Sequence, residues 1–340
     1  MSDLNRFIAG LPKAELHVHH VGSASPRTVA DLAARHEGST AVPADPEKVA
    51  DYFAFRDFAH FIEVYLSVVD LVRDAEDVRL LTYEVARDLA AQQVRYAELT
   101  LTPFSHVRRG IPAPEYCAAV EDARLAAEKE FGLTLRWCFD IPGGLDPDAA
   151  QVTLDIALRE RPDGLVSFGL GGPEVPRAPF RPYFDQARAA GLRAVPHAGE
   201  VGGPESVWDA LRHLGAERIG HGIACVRDEA LLTHLRERQI PLEVCPTSNV
   251  RTRAVPDLDA HPLPALVAAG IFVTVNSDDP PMFGTTLNQE YAVAARLLHL
   301  DAAGVTALAQ QAVRASFLPG PDKRALLAAQ EAYLAAHTPG

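Results

Sequence analysis

Short apolar runs rich in β-branched and aromatic residues alternate with longer stretches of helical periodicity along almost the whole chain. No other feature limits its possible folds as much. The strand-like runs fall at residues 14–19, 94–101, 134–140, 164–170, 192–197, 217–221, 240–245 and 271–277. Between them lie helical patterns, among them 74–91, 114–130, 146–160, 204–214 and 229–239, each rich in Ala, Leu, Glu and Arg. Eight strand–helix units in 340 residues predict an α/β fold, and they suit a closed (β/α)8 TIM barrel better than an open doubly wound sheet. No internal repeat, low-complexity tract or linker interrupts the rhythm, so residues 1–340 read as one domain.

Two stretches depart from the repeat. Residues 20–93 separate the first two strand runs and hold a Pro/Asp-rich loop at 42–47. An aromatic cluster follows at helical spacing: Tyr52, Phe53, Phe55, Phe58, Phe61 and Tyr65. Such a stripe serves helix packing, and it can also form a lid that closes over a barrel mouth and excludes water. After Ser277 come helical patterns at 287–298, 302–315 and 324–336, expected to pack outside the barrel.

Composition narrows the partners. Asp plus Glu number 45 against 32 Lys plus Arg, a formal charge of −13, which leaves no general basic field for a phosphate backbone. No apolar run reaches the ~20 residues needed to cross a bilayer. The N-terminus lacks a basic region followed by a continuous apolar stretch, so a cytoplasmic location is expected. Cys117, Cys138, Cys225 and Cys245 are widely spaced and never form C-x-x-C, so a metal would be held by His and carboxylate groups.

In a barrel of this kind the active site lies at the C-terminal ends of the strands, and that is where reactive residues gather. The first run ends in His17-Val-His19, two imidazoles on one side because strand side chains alternate. The fifth ends in His197-Ala-Gly199-Glu200, the sixth in Gly-His221-Gly, and the eighth in Ser277-Asp278-Asp279-Pro-Pro. Singly, each of these could be polar packing or a loop entry; together they indicate a metal site. His17, His19, His197 and Asp278 supply nitrogen and oxygen ligands suited to zinc or a similar divalent ion with a position left for water. Such an ion lowers the pKa of bound water toward neutrality, making water the nucleophile. His221, Glu200 and Asp279 remain as acid–base and substrate-orienting groups. None of the four lysines (13, 48, 129 and 323) ends a strand run, so a two-metal site bridged by a modified lysine cannot be built.

These residues, in this order, resemble the adenosine deaminase family of the amidohydrolase superfamily. The likeness extends over nearly the whole chain through LPKAELHVH, VSFGLGGPE, PHAGE, RIGHG, LEVCPTSN and VNSDDPPMFG. It implies a (β/α)8 barrel with one Zn2+ on the four ligands named above, and a small-molecule purine substrate. It also implies roles. Glu200 would protonate the ring nitrogen next to the attacked carbon, and His221 would position and deprotonate the attacking water. Asp279 would bond the imidazole edge of the base, while the Gly172 backbone, with Glu174 nearby, would bind its pyrimidine side. A free nucleoside or base suits such a mouth, whereas a base within a duplex does not.

One departure is informative. Typical members read H-x-H-L-D-G, the aspartate contacting the sugar near its 5′ end, but here the segment runs His19-His20-Val21-Gly22-Ser23. An isopropyl group in place of that acceptor leaves a hydroxyl unpaired, which costs ~1–3 kcal/mol if buried, so an apolar 5′ substituent is expected. The HHVGSASP segment resembles the branch of the family that deaminates 6-amino-6-deoxyfutalosine to futalosine, in menaquinone biosynthesis. That substrate carries a carboxyphenyl ketone on its 5′ side, and Arg27, Arg108 and Arg109 are candidate partners for the carboxylate. The alternatives are adenosine or another 5′-modified adenosine. A zinc phosphoesterase on the same barrel would call for a second metal or clustered Arg, and a non-catalytic protein would not fill every catalytic position.

Overall fold

All eight strand runs form parallel strands that close into a ring. The computed structural model describes residues 2–36, 38–144, 146 and 148–337. Its strands are β1 (Lys13–His19), β2 (Val94–Leu101), β3 (Thr134–Pro142), β4 (Leu165–Gly171), β5 (Arg193–Ala194), β6 (His197–Ala198), β7 (Ile219–His221), β8 (Leu242–Val244) and β9 (Val273–Val275). β1 to β5 pair in sequence order, as do β6 to β9. The run expected as one strand at 192–197 is split by Pro196, which has no N–H to donate to a ladder. Its carbonyl still accepts from Gly220 N at 3.0 Å, and Val195 N donates to Phe168 O at 3.0 Å, so the ring continues across the break. On the other side, Asp278 N donates to His17 O at 3.0 Å and His19 N to Asp278 O at 2.8 Å, joining the last strand's exit to the first.

The helices follow the sequence periodicity closely. Asp74 caps the helix Ala75–Ala91 by accepting from Asp77 N at 2.9 Å, and Asp228 caps Glu229–Arg238 by accepting from Leu231 N at 3.0 Å. The pattern at 204–214 divides into an α-helix, Pro204–Asp209, and a wider π turn, Ala210–Leu214, which ends at Gly215 with φ 64°. After β9 come a short helix, Pro280–Phe283, and the longer helices Leu287–Leu298, Ala302–Ala315 and Gly320–His337. Among the described residues no helix is long and apolar enough to cross a membrane.

The described residues of the segment 20–93 hold four helices, Pro26–Arg35, Pro46–Tyr52, Phe58–Val69 and Ala75–Ala91. The aromatic stripe is therefore not one helix. Asp57 starts a new one by accepting from His60 N at 2.9 Å, leaving Phe55 in the connection. Phe61 packs 5.2 Å from Phe55 and 4.9 Å from Phe283, centroid to centroid. Phe58, Phe61 and Tyr65 also face the mouth of the barrel, so one stripe both packs and walls the cavity.

Candidate active site

A cavity of about 900 Å3, counted to its open mouth, lies at the C-terminal ends of the strands. His19, His197, Glu200, His221, Asp278 and Asp279 all line it. His17 lies just beneath, buried at 2% exposure. Strand alternation turns His17 and His19 to the same side, and the backbone bonds of Asp278 across β1 bring its carboxylate to both. Asp278 Oδ1 is 3.2 Å from His19 Nε2 and 3.6 Å from His17 Nε2, while His19 Nε2 and His197 Nε2 lie 3.2 Å apart.

This donor set fits a divalent ion. Tetrahedral ligands bound at about 2.0–2.1 Å stand roughly 3.3 Å from one another, close to the separations observed. His17 Nε2 is buried without a hydrogen-bond partner, and His17, His19 and His197 each present a ring nitrogen within 4.8 Å of the others. The electrostatics agree. Burial opposes charge on His17, but the nearby carboxylates of Asp278 and Glu243 outweigh it and lift this imidazole to about 10. Burial and the neighbouring imidazoles push His197 well below its ordinary value. Asp278 is held well below the carboxylate range, its burial outweighed by His17 and His19. A site that keeps its carboxylate ionised among crowded imidazoles is one that a cation would relieve.

The candidate ligands are braced from behind. His17 Nδ1 faces Glu243 Oε2 at 2.9 Å, and Ser248 Oγ donates to Asp278 Oδ2 at 2.6 Å. Arg218 Nε donates to Glu243 Oε1 at 2.6 Å and its outer nitrogens reach Glu98, all three side chains being buried. Gly220 fits because a β-carbon there would lie 2.8 Å from His17 Cε1. Two site residues hold left-handed backbone, His221 at φ 61° and Asp278 at φ 65°, a conformation that costs a non-glycine residue on the order of 1 kcal/mol or more.

Glu200 and His221 stand together. His221 Nε2 is 3.6 Å from Glu200 Oε2 and 3.8 Å from Asp278 Oδ2, and Thr252 Oγ1 donates to Glu200 Oε1 at 2.7 Å. Asp279 is buried beside them, with Oδ1 lacking any partner. Burial and then the adjacent Asp278 anion push its carboxyl well above the usual range, so this acid is a potential donor where Asp278 is an acceptor. Gly22 leaves the room it needs, because a β-carbon there would overlap Asp279 Oδ1. Gly22→Ala should therefore displace Asp279 and lower kcat/KM by roughly tenfold or more while metal content stays at wild type. Steady-state kinetics with elemental analysis check this, and unchanged kinetics would remove Asp279 from substrate binding.

The structure keeps Gly172 where expected and places three sequence-named groups differently. Gly172 lines the cavity, at φ 76°. Glu174 does not line it: its carboxylate accepts from the backbone N–H of Gly199, Glu200, Val201 and Gly202 at 2.8–3.0 Å and from Ser206 Oγ. Burial opposes its charge but these bonds hold it below the usual range, so Glu174 shapes the loop that aims Glu200 and is not free to read a base. Val21 is 3% exposed, packs in the hydrophobic core and does not line the cavity, so its isopropyl group is no wall for a 5′ substituent. Phe58, Phe61, Ile62, Tyr65, Leu66 and Phe283 supply the apolar wall instead. Arg27 points to solvent, Arg108 pairs with Asp146 at 3.0 Å and Arg109 with Asp70 at 2.5 Å, and none of the three lines the cavity. His20, between the motif residues, is a buried packing histidine that bonds Thr82 Oγ1 at 2.9 Å.

Sequence reasoning missed Asp140. It ends the third strand run, lines the cavity, and has a buried Oδ1 without a partner; burial raises its carboxyl to about 7. The strand-end rule that found the other residues applies to it equally.

The sequence profile described as "Adenosine deaminase" matches residues 12–332. The chain is 66% identical over 338 residues to an aminodeoxyfutalosine deaminase from Streptomyces avermitilis, covering 98% of this chain and 94% of that one. Among solved structures it resembles an adenine deaminase from Arthrobacter aurescens, with TM-score 0.90, 32% identity, and coverage of 96% of this chain and 100% of that one. It also resembles an amidohydrolase from Burkhoderia ambifaria with bound Zn, with TM-score 0.90, 27% identity, and coverage of 99% and 94%. With the profile spanning nearly the whole barrel and every motif carrier at a strand end, the chain belongs to the adenosine deaminase family.

Proposed function

We propose that this protein hydrolytically deaminates the adenine ring of 6-amino-6-deoxyfutalosine at C6, giving futalosine and ammonia, with one zinc ion held by His17, His19, His197 and Asp278. The observation that carries the chemistry is the convergence of these four ligands, Glu200, His221 and Asp279 on one cavity. Support for the substrate comes from the 66% identical relative and from the apolar wall beyond the polar floor, which suits an aryl extension better than bulk water does.

A zinc ion bound there supplies an activated water nucleophile at neutral pH. Glu200, anchored through Oε1 by Thr252, keeps Oε2 for the substrate and gives a proton to N1 as C6 is attacked. Protonating N1 withdraws electrons from C6 and forms the N1–H found in the product. His221 Nε2, 3.6 Å from Glu200 Oε2, would meet the attacking oxygen there. Asp279, whose burial and Asp278 neighbour favour the protonated form, would donate to N7, a ring nitrogen that can only accept. The Gly172 backbone borders the other edge of the base. Overall, the two hydrogens of water end on N1 and on the departing nitrogen.

The change from an adenine to a hypoxanthine ultraviolet spectrum, measured alongside ammonia release, tests this with 6-amino-6-deoxyfutalosine, adenosine and adenine. The first should be preferred by about 100-fold or more in kcat/KM, since its distal group alone meets the aromatic wall. Preference for adenosine, or for adenine as in the Arthrobacter aurescens neighbour, would replace the substrate and leave the chemistry. Absence of ammonia from all three would reject the chemistry itself.

A further inference from the structure

His221 is the last member of a buried chain that begins at a backbone amide. Leu263 N donates to His261 Nδ1 at 3.0 Å, and a backbone N–H cannot do otherwise. His261 Nδ1 therefore carries a lone pair, and the ring's proton is on Nε2, which lies 3.2 Å from Asn249 Oδ1. With that oxygen accepting, the amide group Nδ2 is the one turned toward His221 Nδ1, at 3.1 Å, and it donates. His221 Nδ1 is then an acceptor, and the proton of the neutral ring sits on Nε2, the nitrogen that faces Glu200 and Asp278. Asn249, His221 and His261 are all buried, so water does not scramble the order.

We infer that His261, acting through Asn249, is a positioning residue that fixes His221 in the Nε2–H tautomer, so that His221 donates a hydrogen bond to the attacking oxygen and does not take its proton. This refines the proposed function: the oxygen is held and aimed by a donor, and the proton that the water loses passes not to His221 but to the Glu200 carboxylate, 3.6 Å from His221 Nε2, which then delivers it to N1. Burial lowers His261 to about 4, in keeping with a ring that stays neutral.

The tautomer is visible in the protein whether or not it turns over substrate. Long-range 1H–15N spectra of 15N-histidine-labelled protein, with His221 assigned by comparison with His221→Asn, should show Nε2 protonated and Nδ1 bare. Asn249→Asp replaces the donor with a second acceptor and should move the proton to Nδ1, lowering kcat by about 100-fold or more with KM within twofold. His261→Ala should broaden or mix the tautomer signals and lower kcat about tenfold, and His261→Gln, which restores a donor toward Asn249 Oδ1, should recover most of it. A wild-type spectrum with Nδ1 protonated overturns the inference. So does an Asn249→Asp enzyme with unchanged spectrum and kcat. If the variants do not fold, the wild-type spectrum alone decides. A protein with the expected spectrum that deaminates no purine would reject the proposed function and leave the relay standing.

Discussion

Glu200→Gln should bind zinc at the wild-type ratio and lose about 10³-fold in kcat, because the change removes a transferable proton and little else. The glutamine carbonyl can still accept from Thr252 Oγ1, which now donates to Glu200 Oε1 at 2.7 Å, so the side chain keeps its anchor. The loop keeps its shape too, since its backbone amides are gathered by Glu174 and not by Glu200. KM should move little, the loss falling on the step in which N1 gains its proton. Metal content by plasma emission and kcat from the ultraviolet assay check both halves. Lost zinc would make Glu200 a ligand; retained turnover would transfer the acid role elsewhere.

Arg218→Leu should destabilise the fold by about 3–5 kcal/mol, because it strands two buried carboxylates, Glu98 and Glu243, without their shared cation. The guanidinium also donates to Ala315 O at 3.1 Å and lies 4.0 Å from the centre of Phe317, so the change unties the barrel floor from the segment after the helix Ala302–Ala315. Glu243 is the group that faces His17 Nδ1, and an unfixed Glu243 should weaken zinc binding by about 10–100-fold. Urea unfolding of the metal-free protein measures the first effect, and chelator competition measures the second. Arg218→Lys keeps the charge but not the planar fork, and should fall between. A loss under 1 kcal/mol together with unaltered zinc retention would show the pair to be electrostatically idle.

What the sequence made legible was the first layer of the site. His17, His19, His197, Glu200, His221, Asp278 and Asp279 end strand runs, and strand ends can be read from periodicity alone. The bracing groups were harder because their partners are distant in sequence. His17 meets Glu243 across 226 positions, and no local pattern reports that. Glu243 nevertheless left a trace, an acid flanked by Leu242 and Val244 in an apolar run, where an inward carboxylate demands a partner. Pro196 split a strand in the manner its missing N–H requires. Val21 and Glu174 misled for a different reason: a motif position specifies the backbone path, while the direction of a side chain depends on what packs around it. In this chain Val21 turned into the core and Glu174 toward the backbone amides of the neighbouring loop, Gly199 to Gly202.

The groups proposed to react sit on barrel strands or just past their C-terminal ends, whereas most of the apolar wall rides on the helix Phe58–Val69, in the excursion between β1 and β2. Under the proposed function, recognition of the substrate's variable end and the bond-breaking apparatus therefore occupy separate stretches of polypeptide. Exchanging that excursion between relatives offers a route to altered substrate range with the hydrolytic machinery left intact, and family members can diversify by rewriting this one helix.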